Sequence, residues 1–231
     1  MNILLTGGAG YIGSHTSIVL KNAGHRPIIL DNFKNSQKSL LSQLEVINKE
    51  KMLYVEGDIR DTRLICDLLD EYQVDAVIHF AALKSISESI KNPVSYYSNN
   101  VQGTISLLQA MIDKDVKKLV FSSSATVYGN PQYLPVDESH QTHATNAYGR
   151  SKLHIEEMLS DLTNSDPKWR IVSLRYFNPV GAHESGLIGE IPHGDPSNLM
   201  PFIAKVAARK LPKLNIFGGD YETVDGTGVR D

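Results

Sequence analysis

A short apolar run that empties into regularly spaced glycines constrains this chain more than any other stretch. Asn2 to Thr6 reads as a strand leading straight into Gly7-Gly8-Ala9-Gly10-Tyr11-Ile12-Gly13-Ser14-His15, with glycines at 7, 10 and 13. A helix-forming stretch with Ile18, Val19 and Leu20 follows. Glycines at this spacing permit a tight turn, close approach of a pyrophosphate to the backbone and close helix-strand packing, with phosphates facing the helix N-terminus. An ordinary tight turn would also satisfy the pattern, so its surroundings decide. The next strand, Pro27 to Leu30, ends at Asp31, whose carboxylate can accept from adenosine ribose hydroxyls and would repel a 2′-phosphate. NAD is expected over NADP, with Lys34 as a nearby cation that softens the repulsion.

The same strand-helix alternation continues. A third strand, Met52 to Val55, ends in Gly57-Asp58-Ile59-Arg60, a turn suited to an adenine contact. A fourth, Ala76 to Phe80, runs into Ala81-Ala82-Leu83-Lys84, where small residues let backbone approach a ligand, so Phe80 to Ala82 are expected beneath the cofactor. His79 lies inside that strand and reads as a satisfied core histidine. Pro93 opens a helix through Ile112, with Val101, Ile105, Leu108 and Ile112 at helical spacing; Asn99 on it either points at a site or is solvated. A fifth strand, Lys118 to Phe121, delivers Ser122-Ser123-Ser124 at the edge where ligands collect in open α/β sheets. A sixth, Ile171 to Arg175, gives Tyr176-Phe177-Asn178-Pro179-Val180-Gly181-Ala182. This order predicts an α/β fold, a Rossmann-type doubly wound parallel sheet. Residues 1–175 are expected to form the NAD-binding domain, and the character changes over 176–231, rich in glycine and proline at first.

Composition narrows the partners. The net charge of -3, with no Lys/Arg run interleaved with aromatics, argues against nucleic acid. No segment reaches membrane-spanning length, and the start is too short in apolar residues for a signal peptide, so a cytoplasmic location is expected. The lone cysteine, Cys66, sits among Leu64, Ile65, Leu68 and Leu69 and reads as a buried core residue. The eight histidines show no ligand spacing, and no metal site is expected.

Tyr148-Gly149-Arg150-Ser151-Lys152 carries the candidate chemistry. Leu153, Ile155, Met158, Leu159 and Leu162 predict a helix over 148–162, which sets Tyr148 and Lys152 one turn apart on one face. A tyrosine working as a base near neutrality needs its pKa lowered by roughly three units, and a nearby ammonium supplies part of that. A Tyr-Lys pair at this spacing also arises by chance on many helices.

Together, the glycines at 7, 10 and 13, Asp31, Asp58, the serine run ending at Ser124 and Tyr148-x-x-x-Lys152 resemble the extended short-chain dehydrogenase/reductase family. Gly7 to His15, Ser122 to Gly129 and Tyr176 to Ala182 look most like its UDP-hexose 4-epimerase branch. The resemblance implies roles residue by residue. Tyr148 would be the catalytic base, Lys152 would hold the nicotinamide ribose and lower the tyrosine pKa, and Ser124 would share a hydrogen bond with the sugar 4-hydroxyl. Gly7, Gly10, Tyr11, Ile12, Gly13, Asp31, Asn32, Asp58, Ile59, Phe80, Ala81, Ala82, Lys84, Asn99, Ser122, Tyr148, Lys152 and Tyr176 would line NAD. Lys84, Ser124, Tyr148, Phe177, Asn178, Asn198, Leu199, Asn215, Phe217 and Arg230 would surround a UDP-hexose, Arg230 being suited to phosphate.

The implied reaction interconverts UDP-glucose and UDP-galactose by reversible oxidation at sugar C4. Sugar-nucleotide 4,6-dehydratases of the family carry Asp-Glu after the Ser/Thr, where this chain has Ala125-Thr126, so dehydration lacks its carboxylates. UDP-glucuronate decarboxylases, other UDP-sugar epimerases, a net oxidoreductase and an inactive nucleotide-binding remnant are the alternatives. Family members continue well past Val229-Arg230-Asp231, so the resemblance implies a C-terminally truncated form in which 176–231 is an incomplete substrate-binding region, and the chain is expected to keep its NAD site and to turn over weakly or not at all. A homodimer through the helices near 94–112 and 148–162 is also implied.

Overall fold

The computed structural model describes residues 1–192, 198–216 and 218–229. Six strands, β1 (Asn2–Thr6), β2 (Arg26–Asp31), β3 (Leu53–Glu56), β4 (Ala76–His79), β5 (Lys118–Ser124) and β6 (Arg170–Tyr176), form one sheet in the order β3-β2-β1-β4-β5-β6. All five pairings are parallel. Leu4, Leu5, Ile28 and Ile29 are fully buried, because helices cover both sheet faces and central strands need apolar residues on each side. Alternate residues feed two cores. Leu4, Ile28, Leu30, Val77 and Phe121 pack on one face, while Ile29 joins Ile18 and Leu44 on the other.

The helices are α1 (Tyr11–Asn22), α2 (Ser39–Asn48), α3 (Thr62–Glu71), α4 (Ile86–Lys91), α5 (Pro93–Tyr96), α6 (Gly103–Asp113), α7 (Ala147–Ser165) and α8 (Leu199–Ala207). The strand order reverses between β1 and β4, and a ligand crevice opens at such a switch point, outside the carboxyl ends of the strands. β6 is one of the two edge strands, and its Val172 and Leu174 are exposed.

The stretch expected as one helix from 94 to 112 is divided. α5 passes into a π-turn over Tyr97–Gln102 before α6 begins. A buried asparagine accounts for the widened turn. The Asn100 side chain accepts from Leu83 N–H at 2.8 Å and donates to the Leu83 carbonyl at 3.0 Å and the Ser151 hydroxyl at 3.1 Å. These bonds clamp the turn between the loop after β4 and helix α7. Helix α4 has no counterpart in the sequence expectations: it is six residues long, and Ile86 and Ile90 are exposed rather than forming a core stripe. Cys66 is half-buried against the core rather than fully buried, and burial raises its thiol pKa, which keeps it protonated.

Candidate active site

The glycine turn after β1 is built for close approach. Gly7 has φ +69°, and a Cβ there would lie 2.6 Å from the Ala81 nitrogen, directly past the end of β4. A Cβ on Gly13 would lie 2.6 Å from the Gly7 carbonyl oxygen, so α1 packs on the turn only without a side chain at that position. Gly10 caps α1 with no side-chain hydrogen bond, and the first helical turn, which includes Tyr11 and Ile12, carries no acidic residue. Uncapped N–H groups at the positive end of a helix dipole suit an anion, and a dinucleotide pyrophosphate fits this donor set.

At the far end of the cleft, Asp31 is 8% exposed and its carboxylate is held in place. Oδ2 accepts from Ala9 N–H at 3.0 Å, while Oδ1 accepts from Phe33 N–H at 2.9 Å and the Ser36 hydroxyl at 3.0 Å. Three of about four acceptor positions on a carboxylate are thus taken, leaving one on Oδ2 for a hydroxyl. Asp58 accepts a two-pronged bond from Arg60, Nε to Oδ1 and Nη2 to Oδ2, both at 2.8 Å, and the Arg60 hydrogen bond chiefly holds its carboxyl down to about 2. Asn32 reaches Asp58 Oδ2 at 3.4 Å. The Ile59 side chain is buried in the core, so only its backbone is available to a ligand. Phe80, Ala81 and Ala82 follow β4 beside Gly7, half-buried.

Helix α7 enters the cleft at its N-terminus, where Asn146 Oδ1 accepts from Gly149 N–H at 2.8 Å. Tyr148 stands two residues after this cap, with its ring edge-to-face on Tyr96 at 6.5 Å. Ser124 closes β5; its Oγ accepts from Thr126 N–H at 3.2 Å and from the Thr126 hydroxyl at 3.0 Å. Lys152 is 3% exposed, donates from Nζ to the Ser122 carbonyl at 2.7 Å and lies 4.8 Å from the centre of the Phe121 ring.

The pKa directions depart from expectation. Burial raises the Tyr148 phenol, and its hydrogen bond to Ser124 pulls the other way. Lys152 does not lower the phenol in the protein alone. Burial brings Lys152 itself down to about 7, with the Glu156 carboxylate opposing, and its hydrogen bond goes to a backbone carbonyl rather than to the phenol. His79 is the core histidine foreseen from its place in the strand. Thr104 Oγ1 donates to the Asn100 carbonyl at 2.6 Å and so accepts from His79 Nε2–H at 2.9 Å, which leaves Nδ1 to accept from the Thr6 hydroxyl at 2.6 Å. Burial pushes its pKa down to about 3.

The remaining candidates divide into those the fold gathers and those it leaves apart. Lys84 Nζ lies 3.4 Å from Glu190 Oε1, which also accepts from Asn198 Nδ2 at 2.7 Å. Tyr11 donates from its hydroxyl to the Gly181 carbonyl at 2.7 Å, and its phenol is raised by burial and by the nearby Glu190 charge. Glu190 therefore joins Lys84, Asn198 and Tyr11. Nothing in its position within a glycine- and proline-rich loop signals that role. Asn99 is half-buried, with its amide on Asn100 Oδ1 at 3.1 Å. Tyr176 ends β6 half-buried and its phenol is raised by burial; Phe177 packs 6.2 Å from the Tyr128 ring, and Asn178 is exposed. Leu199, the first residue of α8, is 59% exposed. Asn215 is exposed and, among the described residues, no hydrogen bond joins it to the other candidates. Phe217 and Arg230 lie outside the described residues.

A glycine-lined turn, a fixed acceptor at the end of β2 and a Ser-Tyr-Lys group at the carboxyl end of β5 lie along one sheet edge, the arrangement of a dinucleotide-binding scaffold. The family model described as the NAD dependent epimerase/dehydratase family matches residues 3–231, and the chain belongs to that family. It is 52% identical over 236 residues to the human UDP-glucose 4-epimerase, an alignment covering 99% of this chain and 68% of that protein. Among solved structures, UDP-glucose 4-epimerase from Stenotrophomonas maltophila, with bound NAD and formylated UDP-arabinopyranose, superimposes with a TM-score of 0.97 at 53% identity. That match covers 100% of this chain and 69% of the other. The Bifidobacterium longum enzyme, in complex with NAD+ and UDP, gives 0.95 at 50% identity with the same coverage.

Proposed function

We propose that the protein interconverts UDP-glucose and UDP-galactose, using NAD for reversible oxidation at sugar C4. The placement of Tyr148 on α7 against Ser124 of β5, across the strand-order switch from the Gly7 turn, carries this reading. Residues 1–175 bind the dinucleotide, and the segment from 176 onward contributes to the sugar side. Gly7, Gly10 and Gly13 bring backbone to the pyrophosphate, and Asp31 accepts from the adenosine ribose. Bound NAD supplies the hydride acceptor and donor at C4, together with a positive ring charge.

The chain's own groups handle the proton. Ser124 holds the 4-hydroxyl in line with Tyr148, which takes its proton as the bond to hydrogen breaks at C4. Tyr148 is neutral in the protein alone, so the nearby positive charges set how readily it cycles. Lys152, with a pKa brought to about 7, holds the ribose and provides one of those charges. Tyr176 lines the dinucleotide, and Phe177, Asn178 and Asn198 border the sugar, with Lys84 and Glu190 at its edge. The absence of carboxylates at Ala125 and Thr126 disfavours dehydration, because loss of water from the sugar needs an acid and a base there. Incubation with UDP-galactose and no added NAD should yield UDP-glucose, and Tyr148→Phe should lower the rate by about a thousandfold while the cofactor stays bound. A variant that keeps its rate would reject Tyr148 as the base.

A homodimer is the partner this reading favours. A groove of about 350 Å³ between α6 and α7 is lined by Ile105, Leu108, Ile112, Met158 and Leu162, and Ile105 and Ile112 are 50% and 47% exposed. A second copy laid on these helices would cover them. Among the described residues no helix is long and apolar enough to cross a membrane. The cytoplasm is the location proposed.

A further inference from the structure

The three serines that end β5 meet three successive turns of α7. Ser124 interacts with Tyr148, the Ser122 carbonyl accepts from Lys152, and the Ser123 hydroxyl donates to Glu156. Glu156 has no part in the reaction described above, yet it follows Lys152 by the same four residues that separate Lys152 from Tyr148, so all three share one helix face. Its side chain is 11% exposed. It accepts from Arg175 at 3.1 Å, Nε to Oε1, and at 2.7 Å, Nη2 to Oε2. Arg175 reaches it because Arg175 pairs with Ser123 in the β5-β6 register, and the guanidinium lies 4.8 Å from the Tyr128 ring centre. One carboxylate thus ties the catalytic helix to both strands whose carboxyl ends form the site.

The groups around Lys152 make that carboxylate matter. From α7 come Tyr148 and Glu156, from β5 the Phe121 ring and the Ser122 carbonyl, from β4 His79, and from β6 Arg175 beyond Glu156. His79 is held neutral and Tyr148 is a neutral phenol, so Glu156 is the anion of this set. Without it, two cations would stand in a largely buried cluster with no counter-charge.

We propose that Glu156 is the positioning residue of the Tyr148-Lys152 pair: held by Ser123 and Arg175, its carboxylate balances the Lys152 ammonium one turn away and seats α7 on β5 and β6. The proposal rests on Tyr148 and Lys152 being the acting pair, but its test does not require turnover. The full chain, labelled with 13C at lysine Cε, is titrated by NMR, and the low-midpoint lysine is assigned by its loss in Lys152→Met. Glu156→Gln keeps the side-chain shape and the Ser123 acceptor and removes the charge, and the Lys152 midpoint should fall by about one pH unit. Ser123→Ala removes an anchor and keeps the charge, and should leave the midpoint in place. An unchanged midpoint in Glu156→Gln overturns the proposal. If Glu156→Gln does not fold, Arg175→Gln answers with the opposite sign, since the carboxylate then acts on Lys152 alone and the midpoint should rise; no rise overturns it equally. Failure of the epimerase reading would instead show as absent turnover with these shifts intact.

Discussion

Replacing Lys152 by methionine should make the protein more stable and inactive at once. The side chain is 3% exposed, and burial brings its pKa from the ordinary lysine value of 10.5 to about 7. Between those values the unfolded chain holds a proton that the native protein does not, so native stability rises with pH across that window, by about 1.4 kcal/mol per pH unit at full difference. The sign follows from the depressed native pKa: below 7 the lysine is charged in both states, and the native state bears the whole cost of burying the charge. Integrated over the window, that cost is about 4 kcal/mol at pH 7. Methionine has similar length and no charge, but it loses the bond to the Ser122 carbonyl, which offsets about 1 kcal/mol. The variant should therefore gain about 3 kcal/mol at pH 7 and only about 1 kcal/mol at pH 9. Urea unfolding of nucleotide-free protein, followed by fluorescence of Trp169, which is 3% exposed in the main core, reads both numbers. A variant less stable than wild type at pH 7, or an advantage that does not shrink toward pH 9, would show that burying the Lys152 ammonium does not cost the native state stability.

Two further outcomes depend on other parts of the structure. Gly7→Ala places a side chain on a residue with φ +69° and a Cβ 2.6 Å from backbone nitrogen; it should cost about 2 kcal/mol and abolish NAD binding by calorimetry, and retained affinity would mean that the turn does not cradle the cofactor. Ile112→Glu in the groove between α6 and α7 should shift the protein from dimer to monomer in light scattering without loss of helical signal, and an unchanged mass would remove that groove as the subunit interface.

The sheet was legible because each central strand carries its own apolar run and each carboxyl end its own chemistry: Gly7 after β1, Asp31 closing β2, Ala81 after β4, Ser124 closing β5. The π-turn at Tyr97–Gln102 was not, because the bonds that widen it are tertiary, from Asn100 to Leu83 and Ser151, and leave no periodicity. The Tyr148-Lys152 pair was visible from its spacing, but its electrostatics were not. The depth of Lys152 beneath β5 decides them, and depth is set by packing. Glu156 was hidden for a related reason. A glutamate on a helix reads as solvated until Ser123 and Arg175 are known to lie opposite it. Glu190, joining Lys84 and Asn198 from a loop, had no periodic pattern to reveal it.

In the proposed reaction the hydrogen at sugar C4 leaves and returns inside the site while Tyr148 moves only the hydroxyl proton. Converting UDP-galactose in deuterium oxide and reading the UDP-glucose product by NMR tests it directly. UDP-glucose should form with protium retained at C4. Deuterium at C4 would mean that solvent reaches the inverting carbon, and would contradict it.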